Sequence, residues 1–134
     1  METLITSQHT LEVLSIMATD HTPSVHFDAS IGKFSIIGKS IPNNPSLFYT
    51  PIYQWLQAYL DNPSNETELT IYFNYCNSST VYWMRDIFKL MSQLTIGPFG
   101  FSIVWVREAN DDDALELGEE LSRLSGIPFQ YQIL

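Results

Sequence analysis

Cysteine is almost missing. Cys76 is the one thiol in 134 residues, so the chain forms no internal disulfide and no cysteine-rich metal site. Cations are scarce as well: six Lys and Arg stand against fifteen Asp and Glu, a formal charge of -9 with a pI near 4.5. That sign opposes nucleic-acid backbones and anionic bilayers, both polyanions, so no nucleic-acid partner and no membrane insertion are expected. No apolar run approaches the roughly 18 residues of a spanning helix. Met1 to Thr10 lacks the basic start and apolar stretch of a signal peptide, which makes a cytoplasmic location the expectation. Also missing are GxGxxG, GxxxxGK[ST], CxxC and HExxH, so no cofactor or metal is expected. His9, His21 and His26 sit in the N-terminal quarter without partners and read as surface or loop residues.

What is present is a core-forming composition, with 45% hydrophobic and 16% charged residues in a length that suits one domain. Residues 1–10 are expected to be a loosely held tail and 11–134 the domain. Leu11 to Ala18 alternates as a strand. Val25–Asp28 and Lys33–Lys39 read as a hairpin joined through Ala29-Ser30-Ile31-Gly32, with Gly32 supplying the unusual backbone angles. Asn44-Pro45 and Thr50-Pro51 are both cap-plus-proline helix starts. Ile52, Trp55, Leu56, Tyr59 and Leu60 then form one apolar helix face. Pro51 inside a longer helix would kink it, so a short turn before the main helix is expected. Asp61 to Asn65 ends that helix.

Leu69–Tyr75 is β-branched and aromatic, a buried strand. The helix after Asn77-Ser78-Ser79-Thr80 turns Val81, Met84, Ile87, Phe88, Met91 and Leu94 inward. Gly97 to Gly100 is a turn and Phe101–Val106 another strand. Asp111 to Asp113 opens a third helix with an apolar face of Ala114, Leu117, Gly118, Leu121 and Leu124, and Pro128–Leu134 is the last strand. From Lys33 onward the order is β-α-β-α-β-α-β. This predicts an α/β domain with a mixed, mostly parallel sheet of about five to six strands and helices near 45–60, 79–94 and 112–124. The strands lack strict polar alternation, as in a sheet covered by helices.

Three segments bear on chemistry. Cys76 precedes a helix start, where a thiolate can be activated, though a packed small residue is the plainer reading. Asp111-Asp112-Asp113 with Glu108 and Glu116 could hold a divalent cation, but the spacing is not an EF-hand loop, and acidic residues are favoured in a first helical turn by the helix dipole alone. The run Asn77-Ser78-Ser79-Thr80 places three hydroxyls between a buried strand and an amphipathic helix. Capping accounts for one of them or for Asn77. Phosphorylation is the functional alternative, since a helix N-terminus accommodates a phosphate.

Several segments together resemble the SiaC-like family of bacterial regulatory phosphoproteins: Thr22-Pro23-x-Val25-x-Phe27-Asp28, Gly38-Lys39-Ser40-Ile41-Pro42-Asn43-Asn44, and Phe48-Tyr49-x-Pro51-Ile52-x-x-Trp55-Leu56-x-x-Tyr59-Leu60. Asn77-Ser78-Ser79-Thr80 falls at the family's N-T-S-S, Trp105 with Asp111-Asp112-Asp113, Glu116 and Gly118-Glu119-Glu120 is similar to its acidic tail, and Ile127-Pro128-Phe129 to its late I-P-F. The resemblance spans roughly residues 11 to 130. It implies a STAS-like, anti-sigma-factor-antagonist-like partner switch, not an enzyme. A serine/threonine kinase of the histidine-kinase-like ATPase type would add a phosphate and a PP2C-type phosphatase would remove it. The unphosphorylated form would bind and activate a diguanylate cyclase, raising cyclic di-GMP and promoting biofilm or aggregation.

The family's phosphoacceptor threonine aligns with Ser78, which leaves Ser79 and Thr80 as rivals. The glutamate after Pro42 is replaced by Asn43. Tyr82 and Trp83 add aromatic area beside the switch, to be read as packing against the sheet or as a docking patch. Asn43, Asn44, Asp111, Asp112 and Asp113 join them as candidate partner contacts. Glu108, Asp111, Asp112, Asp113, Glu116, Glu119 and Glu120 make up seven of the fifteen acidic residues, so a partner with a basic surface is expected. A small-ligand or sensory domain, with a pocket lined by Trp55, Tyr59 and Trp105, or an anti-sigma-antagonist-type domain without a cyclase partner, is the alternative.

Overall fold

The computed structural model describes residues 11–134; the tail expected over 1–10, His9 included, lies outside the described residues. The elements run β1 (Leu14–Ile16), β2 (Ser24–Asp28), β3 (Lys33–Ser40), α1 (Pro45–Tyr59), β4 (Glu66–Cys76), α2 (Ser78–Met91) with a 3-10 turn at Ser92–Thr95, β5 (Gly100–Arg107), α3 (Asp112–Ser125) and β6 (Phe129–Ile133). They form one six-stranded sheet whose spatial order is the sequence order, β1 to β6. The β1–β2 and β2–β3 pairs are antiparallel, and β3 to β6 are parallel. The expected α/β domain, with its hairpin on one side of a parallel sheet, is therefore present.

Strand order and handedness decide where the helices go. Each right-handed crossover moves the chain one strand in the same direction, so successive crossover helices land on the same face. The contacts agree. Phe34 packs on Trp55 and Tyr59 of α1, Phe129 on Phe88 of α2, and the indole of Trp105 donates from Nε1 to the Ala114 carbonyl of α3 at 2.8 Å. The register puts Phe27, Phe34, Leu69, Ile103 and Phe129 in one row across five strands, all buried. The opposite face carries Ile37, Tyr72 and Val106 in one row and His26, Ser35, Thr70, Val104 and Gln130 in the next. Among the described residues no helix lies over it, so the expected helical cover is formed on one side. In β4 the alternation is regular, Leu69, Ile71 and Phe73 buried and Thr70 and Tyr72 half-buried; the aromatic Tyr72 on the bare face had hidden it.

Three local expectations change. The first strand shrinks to three residues because the Glu12 carbonyl accepts from Trp55 Nε1 at 2.8 Å, tying the chain before Leu14 to α1 rather than to β2. Helix α1 starts at the first of the two candidate caps, with Asn44 accepting from the Leu47 N–H at 3.2 Å, and runs through Pro51. Pro51 is exposed, so the Leu47 carbonyl that loses its donor there faces the solvent side of the helix. Leu124 is 54% exposed: it lies at the mouth of a groove beside Arg85 and Lys89 of α2 instead of in the core. The hairpin turn behaves as expected, with Gly32 at φ 65°.

Candidate functional site

Parallel strands deliver their carboxyl ends to one edge of the sheet, the edge where α/β proteins place their sites. Here the segments after β3, β4 and β5 bring Asn43 and Asn44, Asn77 to Thr80, and Asp111 to Asp113 together with the N-termini of all three helices. Two of the acidic and amide candidates act as caps: Asn44 for α1, and Asp111 for α3, whose carboxylate accepts from the Ala114 N–H at 3.0 Å. Asn43, Asp112 and Asp113 are exposed.

The α2 start sorts the three hydroxyls. Asn77 is the cap; its Oδ1 accepts from the Thr80 N–H at 3.1 Å, from Ser79 Oγ at 2.8 Å and from Thr80 Oγ1 at 3.2 Å. Thr80 is fully buried. The Ser40 carbonyl, 3.0 Å away, is the other acceptor for its single proton, and Thr80 Oγ1 lies 2.7 Å from Ser40 Oγ, which in turn lies 2.6 Å from the Tyr49 hydroxyl. Ser79 is half-buried and held by Asn77. Ser78 is exposed, and its hydroxyl has no hydrogen-bond partner among the described residues. The same four groups pin the end of β3 and the first half of α1 to the start of α2, which fixes the backbone that presents Ser78.

Burial pushes the Tyr49 phenol up to about 12, against the opposing hydrogen bonds of Ser40 and Thr80. An unfolded tyrosine ionises near 10, so the folded state holds the proton longer. Stability from this group is intact below pH 10 and is lost as pH rises from there through about 12. The expected loss is roughly 2–3 kcal/mol. Urea unfolding followed up to that pH should therefore fall more steeply for the natural chain than for Tyr49→Phe; equal slopes would contradict it.

The aromatic pair divides. Trp83 stacks on Tyr49 with centroids 5.8 Å apart and meets Tyr53 edge-on at 6.4 Å, so it packs α2 against α1. Tyr82 is 63% exposed, with the Arg85 guanidinium 5.9 Å from its ring centre. Two exposed apolar neighbours on this edge escaped the sequence reading, Leu47 and Tyr75. Leu47 falls at helical spacing with Pro51, Gln54 and Ala58, all on the exposed side of α1, so the period could have found it. Tyr75 could not be found that way. The β3–β4 register slips between Gly38 and Lys39, passing over Asn74, and this bulge carries Tyr75 to the bare face and Cys76 to the helix face.

Cys76 is not an activated thiolate. Burial first, and the charge of Asp111 second, push its thiol up from the usual value, the direction opposite to activation. It lines a groove of about 280 Å³ with Tyr75, Trp105, Asp111, Asp113 and Leu117. The Trp55–Tyr59–Trp105 pocket that would mark the ligand-binding alternative is not formed. Trp55 and Tyr59 pack on Phe34, and Trp105 packs on Phe129; Phe34 and Phe129 lie in one row three strands apart, about 14 Å. Among the described residues no three His, Cys, Asp or Glu side chains are placed to hold a metal ion, and no helix is long and apolar enough to cross a membrane.

Comparison with known proteins agrees with this geometry. The model of a family described as SiaC family regulatory phosphoprotein matches residues 16–134. An uncharacterised protein of Pseudomonas aeruginosa (strain UCBPP-PA14) is 28% identical over 119 residues, covering 89% of this chain and 94% of its own length. Among solved structures, the diguanylate cyclase SiaD in complex with its activator SiaC, from Pseudomonas aeruginosa, contains a chain that superposes with a TM-score of 0.84 at 27% identity, covering 90% of this chain and 99% of that one. Apo-SiaC of the same organism gives a TM-score of 0.83 at 27% identity over 90% and 98%.

Proposed function

Because this chain belongs to the SiaC family of regulatory phosphoproteins, we propose that it is a non-enzymatic cytoplasmic partner switch, set by phosphorylation of Ser78, whose unphosphorylated form binds and activates a diguanylate cyclase. The observation that carries the reading is the α2 start: of three adjacent hydroxyls, the one aligned with the family's acceptor is exposed and, among the described residues, unbonded, while its neighbours are held by Asn77 and Ser40. A structural relative is the activator of the cyclase with which it forms a complex. A kinase of the histidine-kinase-like ATPase type adds the phosphate and a PP2C-type phosphatase removes it.

Phosphorylation adds about -1.5 to -2 charges to a chain already at -9. At the first residue of α2 the phosphate is accommodated by the helix dipole, so the fold survives. The partner surface around it does not stay the same. Leu47, Tyr75 and Tyr82 are exposed apolar side chains at this end of the sheet, and a dianion with its water shell at Ser78 blocks a partner from docking over the α2 start. Titration of the cyclase with phosphorylated and unphosphorylated chain tests the reading. Activation by the unphosphorylated form alone is expected; equal activation by both would end it.

Tyr82 is the docking anchor in this reading. Tyr82→Ala should weaken cyclase binding about tenfold, with an unchanged thermal midpoint because the ring is exposed. Calorimetric titration checks this, and undiminished affinity would remove Tyr82 from the interface.

A further inference from the structure

The sheet has two outer strands, and they differ. β1 is three residues long, a length that offers little to pair with. β6 is five residues, Phe-Gln-Tyr-Gln-Ile, and its residues from Gln130 onward are exposed. Open edges are normally blunted by charge, bulges or brevity. β6 has no such device: no charged side chain lies between Phe129 and Leu134, and Pro128 stands only before the strand.

Among the described residues no strand pairs with the outer side of β6. In a parallel strand the N–H and C=O of one residue point the same way, and successive residues alternate. The Leu134 N–H donates to the Arg107 carbonyl at 2.8 Å, so Leu134 and Gln132 turn toward β5, and Tyr131 and Ile133 turn outward. At the start of the strand, the Phe129 N–H is already taken by Ser122 Oγ at 3.3 Å.

We propose that β6 pairs antiparallel with β6 of a second copy of this chain, about a two-fold axis at Tyr131, to make a continuous sheet. The sequence is nearly a palindrome about that residue. Tyr131 would face its own counterpart as a hydrogen-bonded pair, and Ile133 would donate to the outward carbonyl of Phe129 in the other copy. Phe129 and Ile133 meet as an aromatic–β-branched pair, and Gln130 meets Gln132, with apolar side chains on the helix side and amides on the bare side. Such cross-strand pairs are favourable, and a strand that complements itself is what a two-fold interface requires. β6 itself carries no charged side chain to repel its own copy, and Arg107 stands opposite Ile133 on the adjoining strand.

The interface does not involve Ser78, so it is tested on the full unphosphorylated chain without kinase or cyclase. Sedimentation velocity over rising concentration should carry the apparent mass from 15.4 kDa toward twice that value. Tyr131→Lys and, separately, Ile133→Lys should each hold it at the single-chain mass, with an unchanged far-UV circular dichroism spectrum because both positions are exposed. Exchange of the Tyr131 and Ile133 amides should slow as the natural chain is concentrated. A natural chain that stays at 15.4 kDa throughout overturns the proposal, including the case in which a foreign strand takes the edge. So does a doubled mass that neither lysine variant reduces.

Discussion

Ser78→Ala, incubated with the cognate kinase and ATP, is expected to take up no phosphate and to activate the cyclase whether or not the kinase is present. Ser79→Ala should still be phosphorylated, because its hydroxyl only supports Asn77. Thr80→Val should be phosphorylated as well, at some cost in stability. It removes a buried hydroxyl from the Ser40–Tyr49–Asn77 group and leaves Ser40 Oγ one partner short, which costs about 1–3 kcal/mol. Intact-mass spectrometry and a cyclase activity assay on the three variants read both outcomes. Full phosphate incorporation into Ser78→Ala would move the switch to another residue. The effect is all-or-none because exposure differs so sharply among neighbours: a kinase must reach the oxygen, and Thr80 is wholly enclosed.

The largest loss of stability is expected at Gly32. An added Cβ there would sit 2.1 Å from the Glu66 carbonyl oxygen, and that backbone is held by its neighbours, since the Gly32 carbonyl accepts from the Glu68 N–H at 2.8 Å. The left-handed backbone, φ 65°, adds about 1 kcal/mol for any L side chain, and the overlap adds about 1–3 kcal/mol more. Gly32→Ala should therefore lower the unfolding free energy by roughly 2–4 kcal/mol. Gly126→Ala separates the two causes. Gly126 also has positive φ, 75°, but nothing lies within 4 Å of its added Cβ, so only about 1 kcal/mol should go. Urea midpoints at constant slope measure both. Equal losses would mean that the Glu66 contact relaxes away.

Much of this fold was legible in the sequence. The hairpin about Gly32, the three helices and the parallel run from β3 onward all follow from periods and caps. The departures have local causes. Pro51 was expected to interrupt a helix that in fact tolerates it, because the sequence does not say which side of α1 meets water until the first turn is placed. Leu124 matched the apolar period of α3, yet it falls at the opening of the α2–α3 groove. The bulge at Asn74 leaves no compositional mark, so the turning of Tyr75 and Cys76 to opposite faces could not be read. At the candidate site, the residue types were visible and the resemblance already favoured Ser78, but the exposure that separates it from Ser79 and Thr80 was not. That difference depends on Ser40, thirty-eight positions earlier than Ser78, arriving beneath α2 and engaging Thr80.

The order in which the chain is made matches the order in which the sheet is laid down. Every strand pairs with the strands immediately before and after it, so each new segment leaving the ribosome finds its neighbour already in place, and no strand waits for a distant one. Short-range pairing of this kind favours rapid folding for a parallel sheet and suits assembly during synthesis. It also makes β6 the last strand to dock. Until β6 arrives, β5 is the growing margin, with Ile103 and Trp105 uncovered on the side that Phe129 later closes. A nascent chain stalled before Phe129 would thus expose this unfinished margin to chaperones.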